Sequence, residues 1–69
     1  MKKLTVTEIP EGWAPNGDVY LMGHDADAQY YRIADSVFRH SKSGSRFFTT
    51  VYAWPQAVKT YGITEESAD

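Results

Sequence analysis

A chain of 69 residues with two Trp, five Tyr, three Phe and no Cys can build one small hydrophobic core, and it cannot brace that core with a disulfide or a cysteine zinc site. The aromatic content is too high for a disordered linker, since each ring can bury ~150–250 Å². A net charge of −2 argues against a general binder of nucleic acid.

The distribution of charge is uneven. Residues 8–29 carry Glu8, Glu11, Asp18, Asp25 and Asp27 with no Lys or Arg. Residues 30–59 carry Arg32, Arg39, Lys42, Arg46 and Lys59 against Asp35 alone, and the end adds Glu65, Glu66 and Asp69. The start, Met1 to Glu8, is basic but has no apolar run behind it of the ~7–15 residues a secretory signal needs. No window is apolar enough to span a bilayer. These features predict a cytoplasmic protein without membrane contact.

In chain order, Leu4 to Ile9 alternates apolar and polar residues and reads as a strand ended by Pro10. Residues 11–18 read as a loop, on their prolines, glycines and Asn16-Gly17 pair. Trp13 in that loop either folds back over the core or stands out as an anchor for a partner. Val19 to Met22 reads as a short strand closed by Gly23, and residues 24–27 as a polar turn or a helix start.

Residues 28–42 carry two patterns. Tyr30, Ile33, Ala34, Val37 and Phe38 fall at helical spacing, with Asp25 or Asp27 available as N-cap. Against this, Tyr30 to Ile33 and Val37 to His40 are rich in strand formers, with a possible turn at Ala34-Asp35-Ser36. Ser41-Lys42-Ser43-Gly44-Ser45 favours the hairpin for residues 36–41, because Gly44 stands where a left-handed residue is needed. That hairpin pairs Phe38 with Phe48 and Arg39 with Phe47. For residues 28–34 both readings stay open.

Arg46 to Tyr52 reads as the best strand of the chain. Pro55 suits the first turn of a helix whose inner face carries Trp54, Ala57, Val58 and Tyr61. Gly62 is placed as its left-handed cap, with Ile63 beyond it for a closing contact. The expected fold is α+β: an antiparallel sheet of three to five strands with a short C-terminal helix packed on one face. One domain covers residues 1–63, and 64–69 form a frayed acidic tail.

No catalytic or metal constellation stands out. A metal needs three or four convergent ligands, and nothing in the sequence brings His24, Asp25, Asp27 and His40 together. His40 and Ser41 are mere sequence neighbours, and the five glycines form no phosphate-binding pattern. The expectation is therefore a non-enzymatic chain with no catalytic residue, metal or cofactor. Tyr52, Trp54, Tyr61 and Phe48 are assigned to the core. That leaves Arg39, Arg46, Tyr31, Arg32, Lys42 and Trp13 as candidate partner-binding residues, since Arg and aromatic side chains anchor most interfaces.

The function this predicts is a protein-binding module, an inhibitor or adaptor that occupies a surface on a larger protein. In size and layout it has the look of the small accessory proteins that bacteriophages encode, although no motif carries that impression. The alternative is a small nucleic-acid-binding domain using Arg32 to Arg46. A homo-oligomer is a further expectation, because a small domain with a sheet edge gains by pairing.

Overall fold

Two turns organise the centre of the molecule, one closing its central hairpin and one following it. The computed structural model describes residues 2–44 and 48–66, without the side chain of Phe48. Strand β1 (Lys2–Lys3), β2 (Val19–His24), β3 (Ala28–Ile33), β4 (Ser36–Ser41) and β5 (Phe48–Thr50) follow one another across an antiparallel sheet. Helix α1 (Trp54–Tyr61) comes next, and β6 (Thr64–Glu65) returns to pair with β2 beside β1. The expected sheet with one C-terminal helix is the fold observed.

Residues 28–42 are the hairpin β3–β4, with Ala28 opposite Ser41 and Ile33 opposite Ser36. The helical spacing of Tyr30, Ile33, Val37 and Phe38 is therefore accidental. Strand formers on both sides of a two-residue connection decide the matter. Ala34 opens that connection at φ 55°, the positive value that primed hairpin turns require. Its carbonyl accepts the Arg32 Nε at 2.7 Å.

The next turn also follows the sequence. Gly44 has φ 85° and donates its N–H to the Ser41 carbonyl at 3.2 Å. Phe38 pairs with Phe48 as expected; the expected pair Arg39–Phe47 lies outside the described residues.

Several expectations fail. Residues 4–9 are not a strand: Lys2 and Lys3 pair with β2, the Leu4 N–H adds one bond to the Val19 carbonyl at 2.9 Å, and the chain then turns. Thr5 and Glu8 cause it, because Glu8 Oε1 accepts both the backbone N–H and the hydroxyl of Thr5 at 3.0 Å. The Glu8 N–H returns to the Thr5 carbonyl. This reciprocal Thr-x-x-Glu closure outcompetes the alternating pattern.

Gly23 does not end β2. It lies inside the strand, just after a register shift at Met22. A Cβ there would stand 2.5 Å from the Thr64 carbonyl oxygen, so only Gly lets β6 approach.

Nor are Thr64 and Glu65 frayed. They pair with His24 and Gly23, and the Glu66 N–H reaches the Met22 carbonyl at 2.9 Å.

The register sorts side chains onto two faces. Tyr30 and Val37 lie on the face under α1 and are fully buried with Trp54, Ala57 and Ile63, while Met22, Val51 and Val58 pack around them. The helix is capped by Gly62 in the left-handed region, and the Ile63 N–H closes on the Val58 carbonyl at 3.1 Å. A two-turn helix is marginal alone, so its docking through Trp54 holds it. Tyr61 does not share that role: it is 53% exposed, and Tyr52, also assigned to the core, is 87% exposed. Tyr52 sits in the turn between β5 and α1, in solvent.

Candidate functional site

The candidate partner-binding residues divide between the two faces, and most are engaged within the domain. On the face opposite α1, the register groups Tyr31, Phe38 and His40. The loop 10–18 folds across them. Trp13 sets its ring edge-on to Tyr31, Phe38 and His40, at centroid distances of 5.2, 6.2 and 5.7 Å. Such edge-to-face packing is the favoured aromatic geometry. Tyr31 is buried, its hydroxyl donates to Gln29 Oε1 at 2.5 Å, and burial pushes its pKa up. Trp13 and Tyr31, both candidate partner-binding residues, thus come together as packing partners in a second small core.

Arg39 lies on the helix face beside Tyr30, opposite it in register. Here the turn 25–28 builds a polar network. Asp25 Oδ1 accepts the N–H groups of Asp27 and Ala28 at 2.8 and 2.9 Å, which is the local bonding that favours Asp in turns. Asp25 Oδ2 accepts the Tyr30 hydroxyl at 2.6 Å and Arg39 Nε at 3.3 Å, and Arg39 Nε also reaches the Tyr30 oxygen at 3.2 Å.

The Arg39 and Asp25 side chains are only 17% and 13% exposed. The Tyr30 hydrogen bond, with the Asp27 N–H and Arg39, holds the Asp25 carboxyl down at about 2. Burial and the Asp25 carboxylate push Tyr30 up to about 12, and the same partners raise Arg39. The arrangement ties the β2–β3 turn to β4.

Arg32 is half-buried, on the same face as Arg39, and bonds the Ala34 carbonyl. Lys42 is exposed in the turn after β4. Arg46 lies outside the described residues. The Arg32 to Arg46 segment therefore places Arg32 and Arg39 within internal contacts, and Lys42 faces solvent.

His24, Gln29 and His40 do share one cross-strand row, above a groove of about 350 Å³ that Asp27 and Lys42 also line. No group of three or more His, Cys, Asp or Glu side chains suited to a metal ion occurs among the described residues. No helix among them is long and apolar enough to cross a membrane.

Sequence reasoning missed the exposure of three large apolar side chains, Val6 (84% exposed), Tyr52 and Tyr61. The Thr5-x-x-Glu8 spacing was the available signal for Val6, since it puts residue 6 at the tip of a closed turn. For Tyr52 no local signal exists. The chain matches no protein-family model, no curated protein and no solved structure to which it was compared.

Proposed function

We propose that this domain is a non-enzymatic, cytoplasmic protein-binding module, an accessory protein of the phage-encoded kind that inhibits or adapts a larger protein by covering part of its surface. The observation that carries this reading is Tyr52, 87% exposed in the turn 51–53. The turn is fixed by the Ala53 N–H on the Thr50 carbonyl at 3.2 Å and by the Val51 N–H on the Asp35 carbonyl at 3.0 Å. A large amphipathic ring held in solvent on a fixed backbone meets the requirements of an interface anchor, because little entropy remains to be lost on binding. The nucleic-acid alternative has less support, since Arg39 is paired with Asp25 and Arg32 with a backbone carbonyl.

Affinity capture with the tagged chain, read by mass spectrometry and repeated with Tyr52→Ala, tests the proposal. The wild-type chain should retain a specific protein that the variant loses, with the variant's melting temperature within a few degrees. Identical captures by both chains would overturn the role of Tyr52. A salt-sensitive complex with generic DNA or RNA below ~100 μM would favour the alternative.

A further inference from the structure

The loop that carries Trp13 over the sheet also forms a groove of about 480 Å³, lined by Val6, Ile9, Pro10, Glu11, Trp13 and Pro15 with small residues between them. Its walls are fixed before anything enters. Trp13 is locked by its contacts with Tyr31, Phe38 and His40, and its N–H bonds the Pro10 carbonyl at 3.2 Å. Pro10 and Pro15 have restricted backbones. The near lip is the turn closed by Thr5 and Glu8, which holds Val6 outward. An exposed apolar side chain on a fixed turn beside an apolar groove is a surface prepared for contact.

The charge around it selects the occupant. Of the five carboxylates in residues 4–31, Glu8, Asp18 and Asp25 are paired with Lys2, Lys3 and Arg39. Among the described residues lining the groove, Glu11 alone is charged. Arg32 lies in the neighbouring groove beyond Gly17, where its Nε bonds the Ala34 carbonyl. An anionic ligand would meet repulsion here, whereas a cation beside an apolar anchor would meet Glu11.

We propose that this groove takes an apolar segment of a partner protein that bears Lys or Arg next to its apolar anchor. The assignment rests on the protein-binding reading above, and it places the contact on a surface separate from Tyr52.

Titrating the ¹⁵N-labelled chain with a short amphipathic Leu/Lys peptide, and in parallel with its Leu/Glu counterpart, tests it. The Leu/Lys peptide should shift the amides of residues 6–17 and the Trp13 indole N–H. The Leu/Glu peptide should bind at least ~10-fold more weakly, as expected of complementary charge. Glu11→Lys should reverse that preference with the rest of the amide spectrum unchanged, and Val6→Ser should weaken both peptides.

Equal binding of the two peptides, or no shifts up to about 1 mM peptide, overturns the groove. So do shifts confined to Tyr52 and Tyr61, an outcome that leaves the protein-binding reading standing. Shifts in the groove on raising the concentration of the chain alone identify a second copy as occupant, and also overturn the proposal. A capture experiment in which the wild-type chain retains no protein sinks the broader reading separately.

Discussion

The indole Nε1 of Trp54 donates a hydrogen bond to Glu65 Oε1 at 3.0 Å, joining the first residue of α1 to β6. Trp54 is buried among Tyr30, Val37, Ala57 and Ile63, so its N–H has few other partners to turn to. A buried donor left unpaired costs ~1–3 kcal/mol, and the exposed position of Glu65 puts this one at the lower end. Glu65→Ala should destabilise by about 1 kcal/mol, and Glu65→Gln, which keeps an acceptor, by much less. Urea unfolding of the two variants checks this; equal losses would mean that the bond adds nothing.

The same corner depends on Gly23. Its missing Cβ leaves room for the Thr64 carbonyl, and Ile63 Cγ2 stands 3.0 Å from where that carbon would be. Both neighbours belong to or precede β6, so Gly23→Ala must push this short strand away. The expected loss is ~1–3 kcal/mol, the range for overpacking. The displaced strand should carry Glu65 out of reach of Trp54. Combining Gly23→Ala with Glu65→Ala should therefore cost less than the sum of the two single changes. Strict additivity would show that β6 stays in place in the Gly23 variant.

How far the sequence reveals this fold depends on how local the deciding contacts are. Gly44 inside Ser-Lys-Ser-Gly-Ser and the Phe38–Phe48 pair lie within a few residues of one turn, and the register read from them is the one observed. Pro55 and Gly62 bracket the helix for the same reason. The contacts of Arg39 are of another kind, because Asp25 is fourteen residues away and meets it only when β3 and β4 pair. A reading by residue type leaves Arg39 looking unengaged. β6 was hidden by its length, since two residues carry no periodicity. The Thr5–Glu8 closure was legible, but the alternation of Leu4 to Ile9 masked it.

Ala34 is the one described non-glycine residue at positive φ, and it occupies an exposed turn. A left-handed backbone costs an L-residue ~1–2 kcal/mol, while the freedom Gly adds to the unfolded chain takes back ~0.4–1 kcal/mol. Ala34→Gly should stabilise the domain by about 0.5 kcal/mol, raising Tm by a few degrees at this size. Ala34→Val should lower it by more, since β-branching makes positive φ harder to adopt. A lower Tm for the Gly variant would show that the turn stores no such strain.

The Asp25–Tyr30 hydrogen bond makes stability depend on pH from both ends. Asp25 has a folded pKa of about 2, held there first by the Tyr30 hydroxyl and then by the Asp27 N–H and Arg39. An unfolded Asp titrates near 3.9. A depressed carboxyl contributes stability that is fully present above the unfolded value, and that stability is lost as pH falls from about 4 to about 2.

Tyr30 titrates at about 12, raised by burial and by the neighbouring carboxylate. Its contribution is present below an unfolded value near 10, and it is lost as pH rises from there through about 12. Each limb is worth at most ~3 kcal/mol, and the two share one bond, so they do not add.

Urea midpoints measured over the acid and alkaline ranges test this with Asp25→Asn and Tyr30→Phe. Glu8 is also held below the usual carboxylate range by its bonds to Thr5, so the wild-type profile falls in acid for two reasons. Asp25→Asn keeps the Glu8 part and removes the other. Its curve should start lower at neutral pH and converge on the wild type between pH 4 and 2. Tyr30→Phe should shrink the alkaline limb to the part left by Tyr31, which burial also raises, and blunt the acid one, because the same Tyr30 hydroxyl serves both. An Asp25→Asn curve running parallel to the wild type through that acid window would show that the network in this corner contributes nothing to pH-dependent stability.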